Sequence, residues 1–441
     1  MASGIVIERD NIILDGNGFS VQGSKSSLTI GVNLKQRNNV TVMNLNVQGH
    51  AIGINVYQSL NIKIQACNII DNTWGTDLTY SNSSIVQENN LVDNGHAIRL
   101  GASSTYNTVS SNNVTGGGNG IIIQDNFNVV SANYLNGSFS ETATGIGIGA
   151  SENKILWNTV TAYGVDISLS ASKNLIYGNN ITLSGIGVGL SENANNNTIA
   201  GNTIAASGYG IYIYMASNNR IYHNTFYENG LDIFVENGAV NYFDGGYPSG
   251  GNYWEGYSGA DSNHGPGQNI AGSDGIIDTP YSPSAGIIDN YPLAAPFVAI
   301  RAGTWNGLTF SFEVISNSTI SDLQFNPQIG PFLKFNVSGM YETTGFCRIT
   351  IPKKVLWTEN SWNITVNGQK IENYLELIDE ENTYIYFTYN HSTKTVTVQG
   401  THIIPELQPS MFPLLFMALS ILAIIFANKT QKKAKPPKTS F

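Results

Sequence analysis

The sequence predicts an all-β protein built mainly as a single-stranded solenoid of parallel strands. Its first sign is a phrase that returns about every 22 residues between Asn107 and Asn241: Asn, then Ile or Val two places on, then a second Asn five places on. It reads Asn107-Thr-Val-Ser-Ser-Asn112, Asn153-Lys-Ile-Leu-Trp-Asn158, Asn174-Leu-Ile-Tyr-Gly-Asn179 and Asn219-Arg-Ile-Tyr-His-Asn224. A second sign is the run that follows, a Gly and then alternating apolar residues, as in Gly120-Ile-Ile-Ile, Gly164-Val-Asp-Ile, Gly210-Ile-Tyr-Ile-Tyr and Gly230-Leu-Asp-Ile-Phe. Composition is the third: 12% charged residues and 46 Gly in 441 residues disfavour helical bundles and suit tight corners. Fixed-period self-similarity with a period of two inside each unit is the mark of stacked strands.

Residues 1–240 divide into about ten such units. One unit cannot close a core alone, so each strand pairs in parallel with its copy in the next coil. Ile54/Val56, Ile98/Leu100, Ile121/Ile123, Val165/Ile167 and Ile211/Ile213 then form inward columns. Each buried side chain contributes about 1.5–3 kcal/mol. At about 4.8 Å per strand, ten coils make a rod of roughly 50 Å. The Asn of fixed phase has a structural task. Stacked carboxamides donate to and accept from their copies, and so satisfy corner backbone that would otherwise be buried unpaired.

Residues 241–297, rich in Gly, Pro and aromatics, have the character of a cap over the open end of the solenoid. Residues 298–402 change pattern to runs such as Phe332-Leu-Lys-Phe-Asn-Val and Thr383-Tyr-Ile-Tyr-Phe-Thr-Tyr, separated by turns such as Asn367-Gly368. They predict a small β-sandwich acting as a stalk. Residues 403–410 form a linker with Pro405 and Pro409. Residues 411–427 (MFPLLFMALSILAIIFA) are uncharged and just long enough for a membrane helix. Residues 428–441 are a basic tail. The lysines place that tail in the cytoplasm and the body outside, in a single-pass arrangement that expects a leader ahead of Gly4-Ile-Val-Ile. Ten Asn-x-Ser/Thr sequons before the span fit an exported, glycosylated surface.

Five of the 21 basic residues fall in the last 13 positions, so the rest of the chain carries 16 basic against 31 acidic residues. That acidic body excludes nucleic acid as a partner. Cys67 and Cys347 lie in different domains and form no disulfide framework.

The Asn…Asn…Gly-Ile units, the opening Asp10-Asn-Ile-Ile-Leu-Asp15-Gly-Asn-Gly, and the cap sequence Gly251-Asn-Tyr-Trp…Asp274-Gly-Ile-Ile-Asp-Thr-Pro-Tyr…Asp289-Asn-Tyr-Pro-Leu together resemble the NosD-like right-handed parallel β-helix family of the pectate-lyase-like superfamily, over residues 4–297. The sandwich and tail look like those of archaeal surface proteins of this type. In such proteins a Pro-Glu-Phe tail can be a sorting signal, and Leu407 stands here in place of the Phe. The resemblance implies fold and surface location more than activity. It carries glycan binding or cell-envelope structure as one expectation, a polysaccharide-cleaving lyase or hydrolase as another, and copper handling as a third.

Each expectation selects residues. Copper needs clustered His, Met or Cys. His50 and His96 share the phrase Gly-His-Ala-Ile, which places them in one phase two coils apart, about 9.6 Å and too far for one ion. No cofactor is required. A possible Ca²⁺ site is offered by Asp261, Asn263, Asp274 and Asp278, hard oxygen ligands around a Gly turn that serve equally as turn formers. For carbohydrate, an outward column is read through Asn55, Asp77, Arg99, Ile122, Gly147, Asp166, Gly189, Tyr212 and Asp232, with Tyr57, Thr79, Gln124, Ser168, Tyr214 and Phe234 beside it. Asp166, Tyr212, Tyr214, Asp232 and Phe234 would stack on and hydrogen-bond a glycan strand, the expected partner being an extracellular glycan or cell-envelope polymer. The only candidate for catalysis is the adjacent pair Asp77 and Arg99. Hydrolysis needs two placed carboxylates and a lyase needs a base, and a lone Asp–Arg pair is equally a surface ion pair.

Overall fold

A computed structural model describes residues 4–25, 29–237, 240–284, 286–305, 308–327 and 329–403. The predicted span and basic tail lie outside these residues. Among the described residues there are only strands, turns and loops, and no helix is long and apolar enough to cross a membrane.

Each coil of the solenoid lays down three parallel strands on three faces. In one coil these are Trp74–Thr79, Ile85–Gln87 and Asn90–Val92, after which the chain returns to the first face at His96–Leu100. Every strand pairs in parallel with its copies in the coils before and after, so the sheets run along the rod rather than across it. The interior is a column of aliphatics at zero to a few per cent exposure, from Val32 through Ile54, Ile98, Ile121, Ile167 and Ile211 to Ile233.

The corners explain the Asn repeat. Ahead of almost every ladder residue the chain turns through a left-handed residue that is seldom Gly: Ala132 (φ 54), Trp157 (φ 58), Lys173 (φ 59), His223 (φ 58). Such a conformation costs roughly 1–2 kcal/mol per residue, and the side-chain ladder that follows offsets it. At the second-to-third corner Asn133, Asn158, Asn179, Asn202, Asn224 and Asn252 stand in one file. Asn158 receives the backbone N–H and the Nδ2–H of Asn133 on its Oδ1, at 3.0 and 2.9 Å. It then donates its own Nδ2 forward to Asn179 Oδ1 and back to the carbonyl of Val130, both at 3.0 Å. One side chain thus satisfies an N–H and a carbonyl of the preceding coil and links to the side chain of the next. A second file, Asn107 to Asn241, does the same at the first-to-second corner.

Beyond residue 297 the chain forms two five-stranded antiparallel sheets around Phe312, Leu333, Phe335, Ile349, Trp362 and Phe387. This unit rests on the second face of the last coils. Glu313 accepts the Tyr177 hydroxyl at 2.7 Å, and Phe297 stacks on buried His223 with ring centroids 4.6 Å apart. Arg348, fully buried, donates to the carbonyls of Asp274 and Pro248 in the cap.

Candidate functional site

The first face carries the longest strands and the most varied outward residues. Its register defines three outward columns. The middle one runs Asn33, Asn55, Asp77, Arg99, Ile122, Gly147, Ser168, Gly189, Tyr212 and Phe234. Asp166 and Asp232 do not belong to it, contrary to the sequence reading. They fall at the phase of Gly53, Gly75, Gly187 and Gly210, where a Cβ points into the corner of the rod: at Gly187 it would meet Ile204 and the carbonyl of Gly210 at 3.0 and 2.6 Å.

The cause is that glycine recurs at two places two residues apart, both filled in Gly118-Asn-Gly120, Gly185-Ile-Gly187 and Gly208-Tyr-Gly210 and only one filled in most other coils. In the coils of Asp166 and Asp232 the second glycine is replaced, so the surviving Gly164 and Gly230 mimic the wrong one. The same two-residue slip moves Ser168 and Phe234 into the middle column and makes Ile167/Leu169, not Val165/Ile167, the inward pair. It also separates His50, at the phase of Asn72, from His96, at the phase of Trp74.

Asp166 is consequently fully buried and unavailable to a glycan. Its Oδ1 accepts the Tyr163 N–H at 3.2 Å and its Oδ2 has no hydrogen-bond partner. Burial pushes its carboxyl up to about 8. Asp232 is partly buried, held by Asn229 Nδ2 at 3.1 Å, and burial raises it too.

At one end of the face Asp77 and Arg99 meet in register. Arg99 Nε and Nη2 donate to Asp77 Oδ1 and Oδ2 at 2.8 and 2.5 Å, and Thr79 Oγ1 adds 3.0 Å to Oδ1. Asp77 is buried, and both its oxygens are engaged. Arg99 in turn lies over the Trp74 ring at 4.4 Å, and Trp74 stacks on His96 with centroids 4.0 Å apart at 18°. Asn119 Nδ2 donates to His96 Nδ1 at 3.1 Å, which leaves the proton on Nε2. Burial and then the Arg99 charge hold His96 below its usual range, so it is neutral at pH 7.

At the other end Tyr212 and Phe234 stack in neighbouring coils with centroids 5.7 Å apart. Tyr209 closes the cluster at 5.7 Å from both, and Tyr214 stands exposed beside it. The Tyr212 hydroxyl donates to Glu236, and that bond raises its pKa. Between the ends the floor is Ile122, Gly147, Ser168 and Gly189. Five strand steps from Arg99 to Tyr212 make a track of about 24 Å. Phe139, 71% exposed, stands at the adjoining corner where the Tyr134–Ile148 strand breaks register. Trp74, His96 and Tyr209 were not singled out as glycan residues from sequence. The signal for them is their place directly before the inward-turned glycine phase.

The cap residues meet, but as supports for loop backbone. Asp261 accepts the N–H groups of Asp274 and Gly275 at 2.9 and 2.8 Å. Asp278 accepts those of Ser262 and Asn263 together with Asn263 Nδ2, and Asp274 accepts Ile276 N–H. Burial pushes Asp261 up to about 6 and raises Asp274, which faces Arg348 at 3.8 Å. Asp274 Oδ2 is left buried without a hydrogen-bond partner. Among the described residues no group of three or more His, Cys, Asp or Glu is placed to hold a metal.

A three-faced parallel solenoid with laddered corners defines the class: a right-handed parallel β-helix. The particular family follows from comparison. The family model described as periplasmic copper-binding protein (NosD) matches residues 3–183 and 133–259, and the chain belongs to that family. Comparison with curated proteins returns no match. Among solved structures, the tailspike protein of E. coli bacteriophage HK620, a mutant in complex with a hexasaccharide, is similar at 10% identity over 88% of this chain and 73% of that one, with a TM-score of 0.42. The A-module of a mannuronan C-5 epimerase from Azotobacter vinelandii is similar at 15% identity over 54% and 77%, with a TM-score of 0.38.

The copper of the family description finds no fitting donor set among the described residues. His50 Nε2 faces the Val21 carbonyl, His96 is stacked on Trp74, and His223 Nε2 donates to the Ser249 carbonyl in a buried position. Cys67 is buried under the backbone of Val42 and Gln65.

Proposed function

We propose that the first face is a glycan-binding track and that the protein displays it on the cell surface, anchored through residues 411–427 with the body outside. The observation that carries this reading is the pairing of two aromatic clusters across a low floor. Trp74 with Arg99 and His96 occupies one end, and Tyr209, Tyr212 and Phe234 the other, about 24 Å away. Flat pyranose faces stack on such rings, while guanidinium, imidazole Nε2–H and tyrosine hydroxyls bond the sugar hydroxyls. The small residues between the ends leave room for a strand lying along the rod.

Binding is favoured over cleavage because the best-placed carboxylate, Asp77, has both oxygens committed to Arg99 and Thr79. Among the described residues no second free carboxylate stands opposite it on the face, where Asp166 is turned inward. A glycan array probed with residues 1–403 tests the reading. Trp74→Ala and Tyr212→Ala should each weaken a hit at least fivefold, with the glycan recovered intact. An array without hits, or hits indifferent to both substitutions, would defeat it.

A further inference from the structure

The first face carries a second aromatic platform beside one end of its track, next to the coils of Trp74 and Arg99. Tyr57 points outward in register with Thr79, and its ring meets the edge of Tyr80 with centroids 5.6 Å apart at 81°. Tyr80 is 46% exposed. It stands where the first face turns into the second, at φ 54, in the phase that Gln36 and Gln58 fill in the two coils before. The corner accepts glutamine in this phase, so the turn does not demand a ring.

Polar groups flank the two rings. Gln36 Nε2 donates to Gln58 Oε1 at 3.2 Å, with both side chains exposed, and Lys35 Nζ lies 5.9 Å from the centre of the Tyr57 ring. Arg37, beside them, is committed to Asp10 and to the carbonyls of Lys35 and Glu8. Amides and an ammonium group around an aromatic face match the apolar faces and hydroxyl rims of a pyranose.

Direction decides what can use this platform. The track from Arg99 to Tyr212 follows the rod axis from coil to coil, whereas the strand Trp74–Thr79 crosses it and leads to Tyr80. Trp74 and Tyr80 thus stand at opposite edges of the face, about 20 Å apart. From the column of Asp77 and Arg99 to the Tyr57–Tyr80 pair is only two or three strand residues, about 7–10 Å, or one to two sugars. Thr79 and Gly101 pave that short step, and at Gly101 a Cβ would meet Thr79 Oγ1 at 2.6 Å. An unbranched chain lying from Trp74 to Tyr212 runs past the second platform.

We infer that the first face takes a branched glycan. Its main chain follows the track, and a side branch of one or two sugars leaves over the Asp77–Arg99 pair and ends on Tyr57 and Tyr80. A branch presupposes that the face binds glycans at all, so this assignment rests on the function proposed above.

The test is an array of matched linear and branched oligosaccharides probed with the full-length chain in detergent. The pairs are mannan against galactomannan fragments, cellulose against xyloglucan fragments, and linear against side-branched β-glucan fragments. A branched member should be held about fivefold more tightly than its linear partner. Tyr80→Ala should abolish that difference while leaving the linear member bound as before, which also shows that the variant is folded. Trp74→Ala should weaken both members. Equal binding of linear and branched members, or a Tyr80→Ala variant that holds the branched member like the parent, overturns the branch and leaves the track standing. Loss of the linear hit in Tyr80→Ala overturns it as well, because the main chain would then cross the rod. An array without hits removes track and branch together.

Discussion

The backbone N–H of Asn252 donates to Asp289 Oδ2 at 2.7 Å, and this bond ends the asparagine file of the second-to-third corner. Every earlier member passes its N–H forward to the next Oδ1, so the file needs an acceptor at its last position. Asp289 is fully buried and also takes Trp254 Nε1–H at 2.8 Å and Tyr291 N–H at 3.1 Å. Burial pushes its carboxyl up to about 7 despite these donors.

Removing that acceptor should be expensive. Asp289→Ala strands three donors, two of them in the interior, and is expected to destabilise by about 3 kcal/mol or more. Thermal unfolding followed by circular dichroism measures it. A change within a few tenths of a kcal/mol would mean that the file ends on water.

Inside the file, Asn179→Leu should lower the melting temperature far more than Asn360→Leu on the surface. Asn179 holds Asn202 Oδ1 and the Ile155 carbonyl and receives Asn158, a loss of about 2–4 kcal/mol. Asn317, though exposed, is a poor control because it bonds Thr344 O and Phe346 N.

The left-handed corners predict a gain. Ala132, at φ 54, shares its phase with Gly178 and Gly201. Ala132→Gly should therefore stabilise the protein by about 1 kcal/mol, read from the urea midpoint.

Asp166 predicts a pH dependence. Its folded pKa of about 8 lies above the ordinary 3.8, so the native state holds a proton that the unfolded chain releases. The stability this supplies is complete below about pH 4, declines as pH rises and is gone above about pH 8. Asp289 and Asp261 act with the same sign lower in the range. Between pH 6 and 9, Asp166→Asn should consequently lose stability less steeply than the parent. Parallel curves would refute the assignment.

Calcium gives a further measurement. Since Asp261 and Asp278 spend their oxygens on loop N–H groups, adding millimolar Ca²⁺ or a chelator should shift the melting temperature by less than about 1 °C.

Much of this architecture was legible in the sequence because a ladder demands the same residue at the same corner in every coil. Asn158 and Asn179 had to be Asn, and their spacing revealed the coil length. The face was legible only in part. Its strands carry an extra residue at the inward glycine, so alternation cannot be counted through it. Asp166 and Asp232, which fill that place, were read two positions out of phase, whereas Asp77, Arg99 and Tyr212 were placed correctly. The stacking of Arg99, Trp74 and His96 depends on side-chain reach across coils and leaves no trace in any single repeat. Nor does the docking of Glu313 on Tyr177, which links residues 136 positions apart.

The one-way order of the asparagine file makes the rod a ruler. A coil inserted or removed between Asn133 and Asn224 hands its N–H to the same kind of acceptor as before and leaves the Asp289 terminus untouched. The distance between Arg99 and Tyr212 can thus change in whole increments of about 4.8 Å, close to the length of one sugar, without redesign of either end.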